Sequence, residues 1–484
     1  MTAGAASGDR VPLPTKLAYG VGAMAFGIKD NGFAVFLLIF YNQVVGLPAD
    51  QVGLAIMIAL FVDAFVDPAV GSLSDRTDTR IGRRHPWLYG SALPIALSWV
   101  MLWNPPAGSD ALVLGYLVAV AILVRTAIAC NEVPAAALMP ELTRDYHERT
   151  AVIRYRFLFG WIAGLAMLIL AYGVLLAPPL GSPTGPLAPR GYLLFGIVGA
   201  AAMAVSVLVS ALGTHRRFAR RPAQRIAPQP LGAELRAIIG TLADRNFLWL
   251  MAAGMFAYIN QGIVFATINY LLQFVWLFEQ ADFLLYSLAL FGGVVIAFLL
   301  VAPAARRLGK KETAAAFLLL SALLGMSPYW LRLAGLFPRP GDPLLLPVLL
   351  GVIAIATGFS VCVMMLIGSM CADVVEASEE RTGKREEGLF YAGNLFMQKC
   401  TSGLGIFLSG VMLAIAEFPD RAVAGQVAEA VLDRLTLALS LTILAVALLG
   451  AWLFTRYPIG RADHEARLAK LAVAAPGEPP GSGG

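Results

Sequence analysis

Apolar runs of roughly 20 residues recur along the whole chain, and each is long enough to cross about 30 Å of hydrocarbon. A backbone that faces lipid must satisfy its own hydrogen bonds, and these runs are too long for barrel strands, so helix is the only plausible state. Only 14% of the residues are charged, against about 25% in a typical soluble domain. We therefore predict an all-α polytopic membrane protein. Its twelve transmembrane helices are expected near residues 17–41, 51–74, 86–104, 111–139, 154–178, 191–213, 246–275, 284–305, 313–335, 345–371, 387–416 and 435–456.

The distribution of basic residues predicts the orientation of these helices. Most of the 36 Lys and Arg residues lie in the two termini and in the loops after every second helix, whereas only five lie in the opposite loops. The positive-inside rule then places both termini in the cytoplasm. The N-terminal segment MTAGAASGDRVPLPTK has no apolar core, so we expect no cleaved signal peptide. The expected location is the bacterial inner membrane.

The two halves of the chain resemble each other weakly. The segment RIGRR (80–84) recurs as RLGKK (307–311), an offset of 227, and ERT (148–150) recurs as ERT (380–382), an offset of 232. Parallel repeats of six helices are the architecture of major facilitator transporters, which bind their substrate at the midplane between the halves. We predict this fold, with helix bundles at 1–213 and 246–456, a cytoplasmic linker at 214–245 and a disordered tail at 457–484.

Two aspartates are the only charges in the apolar run GLAIMIALFVDAFVDPAVGSL (53–73). An ionisable group at this depth costs roughly 2.5–3.5 kcal/mol on insertion scales. Asp63 and Asp67 are four residues apart, so they lie on one helix face and repel each other unless a cation or a proton lies between them. This pair indicates a cation site.

Further charges lie inside the predicted spans. Arg125 and Glu132 share one face of the fourth helix, Lys399 stands alone in the eleventh, and Lys29 precedes Asp30 in the first. In membrane proteins such residues mark substrate or ion pathways by default. Each also has a purely structural explanation, namely an internal ion pair between helices or, for Lys29, a local salt bridge or a snorkelling side chain.

A polar motif follows the second helix. Asp75 and Arg76 end that helix, and Arg83 belongs to the basic turn that precedes the third. We expect these three residues to form a gate, because a carboxylate that pairs with arginines of a tight turn can hold two helices in one access state. Simple anchoring of the topology is the alternative.

Seven short segments are together characteristic of one transporter family: KLAYGVGA (16–23), YNQVVGL (41–47), DAFVDP (63–68), GRRHPW (82–87), EVP (132–134), ADVV (372–375) and QK (398–399). The chain resembles the glycoside–pentoside–hexuronide:cation symporters, typified by the melibiose permease, within the major facilitator superfamily. The resemblance covers nearly all twelve helices. It implies that Asp63 and Asp67 bind the cation, with Glu132 as a third acidic residue. Lys399 and the arginine of the fifth helix, Arg156, are implied to lie near this site.

The chain departs from the family pattern where sodium-coupled, galactoside-using members bind their ligands. Val66 and Ala129 replace neutral oxygen-bearing residues, Ala136 replaces the aromatic ring that stacks on sugar, and Gly27 takes the place of a sugar-binding aspartate. Asp30 lies about one turn from that position. Because sodium prefers several oxygen ligands whereas a proton needs one carboxylate, the first two changes favour a proton. The last two leave room for a bulkier or less polar solute than a galactoside.

The expected function is cation-coupled symport of a small organic solute, most plainly a sugar or glycoside, by alternating access, with H⁺ or Na⁺ as the coupling ion. We expect Asp30, Arg125, Arg156 and Lys399 to bind the solute. Animal lysolipid transporters resemble the same family, so a transporter, facilitator or scramblase of an amphiphilic solute is the alternative. Downhill flux that ignores the ion gradient would distinguish a facilitator from a symporter.

Other classes of function have little support in the sequence. No Walker A, HExxH or GxSxG pattern is present, which argues against a primary pump and a membrane enzyme. The four cysteines lack metal-site or disulfide spacing, so no metal and no cofactor are expected. The net charge of +5 is dispersed among short loops, which disfavours nucleic-acid binding. The expected partners are the solute, the cation and the lipid bilayer, with the protein acting as a monomer.

Overall fold

The computed structural model describes residues 11–143, 146–176, 189–218, 240, 243–383 and 386–459. All regular secondary structure within these ranges is helical, as predicted. Twelve long helices follow one another along them: α1 Leu13–Val45, α2 Ala49–Arg76, α3 His85–Leu102, α4 Asp110–Leu142, α5 Tyr146–Leu170 continued by Ala171–Leu175, α6 Pro189–Phe218, α7 Arg245–Val275, α8 Gln280–Leu308, α9 Lys310–Leu333, α10 Leu345–Thr382, α11 Glu387–Ile415 and α12 Glu429–Arg456.

Eleven of these helices are long and apolar enough to cross a membrane by length and composition. Helix α3 is not among them, because its 18 residues begin with the polar and aromatic segment HPWLYG, which lowers its mean hydropathy. Helix α10 continues to Thr382, well past the predicted end at 371. Asp373, in this extension, is 7% exposed, and both of its carboxylate oxygens accept from Lys310 Nζ at 2.6 and 2.7 Å.

The helices of the first half pack on one another in the same pattern as those of the second half. Helix α1 packs on α5 and α6, α2 on α4, and α3 on α4 and α6; correspondingly, α7 packs on α11 and α12, α8 on α10, and α9 on α10 and α12. The halves meet along α2–α11, α5–α8 and α1–α7. This pattern is the one that two parallel six-helix repeats would produce.

Only one of the two sequence echoes is structurally equivalent in both halves. Gly82 and Gly309 each turn the chain between two helices with positive φ, 93° and 99° respectively. The two ERT segments, in contrast, occupy different places, because Glu148 lies in the first turn of α5 whereas Glu380 lies near the end of α10. Helix α6 extends to Phe218, five residues into the predicted linker. Most of that linker and nearly all of the predicted tail lie outside the described residues, and the domain boundaries stay predictions.

Glycines let the site-bearing helices approach closely. A Cβ atom on Gly27 of α1 would lie 2.1 Å from the carbonyl oxygen of Gly160 on α5. The equivalent contact in the second half joins Gly262 of α7 to Ser402 of α11, at 2.5 Å from a built Cβ to the carbonyl oxygen. Gly410 brings α11 against the start of α2, where its Cβ would lie 2.2 Å from the Ala49 oxygen. Small residues of this kind allow backbones to touch in membrane bundles.

The bundle has two ends. We call the end that holds Val11 and Ile459 the terminal face, and the other end the opposite face. Odd-numbered helices run from the terminal to the opposite face, and even-numbered helices return. Ion pairs at the terminal face include Lys16–Glu148 at 2.7 Å and Arg381–Asp244 at 2.5 Å.

Candidate functional site

Asp63 lies at the centre of a charged cluster between the two halves of the protein. Its side chain is 3% exposed, and one carboxylate oxygen, Oδ2, is 2.8 Å from both Arg125 Nε and Lys399 Nζ. Arg125 belongs to α4 of the first half, and Lys399 comes from α11 of the second. The cluster therefore joins the halves at the α2–α11 contact.

Asp67 completes this cluster one helical turn further toward the terminal face. Its Oδ2 atom is 2.5 Å from Lys399 Nζ, so a single ammonium group bridges both aspartates. Two carboxylates, one guanidinium and one ammonium carry no net charge together. Lys399 thus supplies a positive charge between Asp63 and Asp67.

Arg125 is the more deeply buried of the two cations. Its side chain is 3% exposed, and its guanidinium carbon lies 5.0 Å from the centroid of the Phe33 ring of α1. A planar, weakly hydrated guanidinium suits such a buried position between an aromatic face and a carboxylate. Lys399 is 15% exposed and comes from the other half, so it is the more accessible of the two cations.

Arg156 links α5 to the site. Its guanidinium donates to the Tyr19 hydroxyl and to the backbone oxygen of Glu132, each at 3.4 Å, and Tyr19 donates to the oxygen of Ala135 at 2.9 Å. Arg154, two residues earlier, is exposed, so Arg156 is the arginine of α5 that faces the interior.

The carboxylate of Glu132 has no ion pair or hydrogen bond among the described side chains. It is half-buried on α4 and lies within electrostatic reach of Lys29 and Lys399. Glu132 is thus near the cluster without belonging to it.

Lys29 is a buried cation that we left out of the expected site. Its side chain is 2% exposed, with Nζ 3.7 Å from Asp30 Oδ1 and 4.3 Å from the centroid of the Phe26 ring. The Asp30 side chain is 61% exposed, so this contact is loose. The sequence could have identified this residue, because Lys29 is a basic residue in the middle of a predicted span.

Gly27 faces α5, because its built Cβ meets Gly160. A side chain at this position would strike backbone, so the aspartate that the resemblance places here has no room. Asp30, one turn later, is the carboxylate that this chain has available. Ala129 is buried above the cluster, whereas Ala136 is exposed.

Exposure along α4 shows how the site is reached. Arg125 and Ala129 are buried, Glu132 is half-buried and Ala136 is exposed, and these residues follow one helix face toward the terminal face. Asp67 is likewise more exposed than Asp63, 27% against 3%. At the opposite face, buried hydrogen bonds join the halves; for example, Ala422 N donates to Gln43 Oε1 at 2.8 Å. The structure is therefore open toward the terminal face.

The expected gate residues Asp75, Arg76 and Arg83 lie at the terminal face. Asp75 pairs with Arg84, whose other guanidinium nitrogen donates to Ser74 Oγ at 2.6 Å. Arg76 is exposed and Arg83 half-buried. Arg84, within the GRRHPW segment, is the residue that joins the basic turn to the end of α2, and we had not singled it out.

Comparison with known proteins identifies the family of this chain. A family described as MFS/sugar transport protein matches residues 18–461. The chain belongs to this family of transporters. An uncharacterized symporter of Synechocystis is 29% identical over 86% of this chain and 88% of its own length. The isoprimeverose transporter of Lactiplantibacillus pentosus is 25% identical over 84% and 81%.

A relative from an animal also aligns. The sodium-dependent lysophosphatidylcholine symporter 1 of Gallus gallus is 25% identical over 95% of this chain and 89% of its own. Among solved structures, a bacterial homologue of the iron transporter ferroportin has a TM-score of 0.63 at 13% identity, over 93% of this chain and 99% of that one. At this identity the likeness concerns the fold alone, and it confirms the predicted major facilitator fold.

Proposed function

We propose that this protein is a secondary active symporter that couples the transport of a small organic solute, a sugar or glycoside, to a cation gradient by alternating access. One observation carries the proposal. Asp63 and Asp67 are bridged by an ammonium group from the other half of the protein, at the inner end of a route that is open to one face only. The names of the relatives support symport, and the isoprimeverose transporter supports a glycoside.

The coupling ion and Lys399 compete for the same two carboxylates. A proton or a sodium ion that binds Asp67 weakens its attraction to the ammonium, and Lys399 then moves from between the aspartates. Because Lys399 belongs to α11 and the aspartates to α2, this exchange alters the contact between the halves. The empty cluster is neutral, so the empty protein can cross between states. Displacement of Lys399 by the ion leaves its ammonium without a carboxylate partner, which is costly in a dry barrier, so the ion-loaded protein crosses only when bound solute pairs with Lys399.

The solute binds beside the cluster, on the terminal-face side of Arg125. Asp30 and Glu132 offer carboxylate oxygens that accept hydrogen bonds from sugar hydroxyls, while Arg156 and the displaced Lys399 offer donors. Arg125 positions Asp63 and lies at the inner limit of the route. Glu132 has a free carboxylate among the described side chains, which makes it available to either ligand.

The identity of the coupling ion follows from the residues around the aspartates. Val66 and Ala129 bring no oxygen to the cluster, and a sodium ion would find few ligands besides Asp63, Asp67 and Glu132. This favours a proton over sodium.

The protein resides in the bacterial inner membrane as a monomer, with the terminal face in the cytoplasm. The bacterial relatives support the location in the inner membrane, and the basic residues of the terminal face support its orientation toward the cytoplasm. The state described above then opens inward.

An amphiphilic solute is the second candidate. The lysophosphatidylcholine symporter of Gallus gallus aligns over 95% of this chain, and the missing aromatic ring at Ala136 leaves space for an acyl chain. Under this alternative the cation site keeps its role and only the solute changes.

The test is uptake into proteoliposomes with an imposed pH or sodium gradient, over a panel of glycosides and lysophospholipids. A membrane potential of 100 mV contributes about 2.3 kcal/mol per charge, which corresponds to about 50-fold accumulation. Asp63→Asn and Asp67→Asn should each abolish accumulation above equilibrium. Asp78→Asn, which removes an exposed carboxylate from the α2–α3 loop, is the matched control and should accumulate like wild type. Undiminished gradient-driven uptake in both site variants would refute the coupling role.

A further inference from the structure

Four short stretches of π-helix lie in the opposite-face halves of α1, α5 and α7. They are Gly32–Phe36 and Phe40–Val45 in α1, Ala171–Leu175 in α5 and Leu271–Val275 in α7. The stretches at Phe40–Val45 and Leu271–Val275 occupy equivalent places in the two halves. π-Turns are rare and occur frequently at functional sites, because they redirect carbonyl groups that an α-helix would keep along its axis. This clustering calls for an explanation in terms of function.

Three carbonyl groups in these π-turns accept hydrogen bonds from the other half of the protein. Val35 O accepts from Asn269 Nδ2 at 2.8 Å, Val45 O accepts from an Arg421 guanidinium nitrogen at 2.6 Å, and Gly173 O accepts from Gln280 Nε2 at 2.8 Å. The π-turns thus supply acceptors, and the opposing half supplies the side-chain donors.

Two buried amide side chains in the last π-turn of α1 bind the loop between α11 and α12. Gln43 is 4% exposed; its Nε2 donates to Pro419 O at 3.1 Å, and its Oε1 accepts from Ala422 N at 2.8 Å. Asn42 is 1% exposed, and its Nδ2 donates to Asp420 Oδ1 at 2.6 Å. Gln43 therefore forms hydrogen bonds with the loop backbone on both sides of Asp420.

Two tyrosines extend this network across the bundle. Tyr270 of α7 donates to Asn42 Oδ1 at 2.9 Å. Tyr172 of α5 donates to Asn269 Oδ1 at 2.5 Å and stacks on Phe283 of α8, with ring centroids 4.9 Å apart. Every one of these contacts crosses between the halves.

The loop between α11 and α12 has an unusual backbone conformation where it meets the end of α1. Glu417 and Arg421 have positive φ, 55° and 59°, which is uncommon for residues other than glycine. Opposite them, Gly46 ends α1 with φ 96°, and a Cβ atom there would lie 2.4 Å from Arg421 Nε. The end of α1 and the loop are thus fitted to each other.

We propose that the π-turns of α1, α5 and α7, with Asn42, Gln43, Asn269, Tyr172, Tyr270 and Arg421, form a latch that closes the opposite face and opens once in each transport cycle. This inference rests on the proposed alternating-access cycle. Hydrogen bonds suit such a reversible contact, because each donor and acceptor regains water when the halves separate, so the net free-energy change per bond is modest. An apolar seal of the same extent would resist opening more strongly.

The test measures the separation of the halves rather than transport. Spin labels at Asn104→Cys and Leu336→Cys, both exposed at the opposite face in different halves, report that separation in a background without the four native cysteines. Gln43→Leu leaves Pro419 O and Ala422 N without partners in the closed state only, so the ratio of open to closed molecules should rise about tenfold. Gln426→Leu, an exposed glutamine in the same loop, is the matched control and should leave the ratio unchanged.

A second variant keeps the proposal testable if Gln43→Leu does not fold. Arg421→Gln removes the bond to Val45 O from an exposed side chain, so the protein should fold normally and shift toward the open state by a smaller factor. Identical distance distributions in Gln43→Leu, Arg421→Gln and Gln426→Leu would overturn the latch, as would a shift toward the closed state. Because labels report conformation directly, the latch can fail while gradient-driven uptake persists, and the reverse outcome is equally distinguishable.

Discussion

Replacement of Lys399 by methionine tests the competition between its ammonium group and the coupling ion. The variant keeps the length and apolar stem of the side chain but removes the charge that lies 2.8 Å from Asp63 and 2.5 Å from Asp67. Removing one partner of a buried ion pair costs about 3–5 kcal/mol, because the remaining charge stays buried. Since Arg125 still neutralises Asp63 and Asp67 is 27% exposed, the loss of unfolding free energy should be near the lower end, about 3 kcal/mol.

The coupling ion should restore much of this loss, because it takes the place that the ammonium vacates. Ligand at about a hundredfold excess over its Kd stabilises the folded protein by about 2.7 kcal/mol. Thermal unfolding of the detergent-solubilised variant, in a titration with sodium chloride against choline chloride and in a separate pH series, measures this recovery. Recovery with sodium identifies a sodium site, and recovery with acid alone identifies a proton site.

Lys310→Met is the matched control for this experiment. It removes an ammonium that lies 2.6 and 2.7 Å from the two oxygens of a single buried carboxylate, Asp373, outside the site. One carboxylate makes a poor sodium site, so sodium should not rescue this variant. If neither sodium nor acid stabilises Lys399→Met more than it stabilises the wild type, the competition between lysine and ion is refuted.

Two further predictions concern other parts of the structure. Gly27→Ala should lower the free energy of unfolding by about 1–3 kcal/mol, because its Cβ would lie 2.1 Å from the Gly160 oxygen. Gly90→Ala, which has open space around it, is the control and should be neutral in thermal unfolding. Equal effects of the two substitutions would contradict the close packing of α1 on α5. Desolvation raises the pKa of Asp420 in the closed opposite face, so closure favours the protonated form, and acidification through that pKa should increase the closed fraction seen by the spin labels. Asp420→Asn should flatten this pH dependence, and an unchanged slope would contradict the assignment.

The sequence predicted the helical class, the number of spans and their approximate limits, because the requirement to cross hydrocarbon acts on each segment independently. It also identified Asp63, Asp67, Arg125 and Lys399 as anomalous charges. Their mutual arrangement was not predictable, since Lys399 is more than 330 residues from the aspartates and reaches them only because α11 packs on α2. The burial of Asp373 was not predictable for the same reason, because its partner Lys310 comes from a different helix.

The sequence alone determined that the chain lies in a lipid bilayer and how many times it crosses that bilayer. It also determined which charged side chains are too costly to bury in the bilayer unless they have a function. These properties follow from local composition, since hydrophobic transfer free energy adds residue by residue. Tertiary structure decided that a lysine occupies the place between the aspartates, that one face is open, and that π-turns hold the other face closed. Such features depend on distances between helices, and glycine contacts such as Gly27 with Gly160 and Gly410 with Ala49 set those distances.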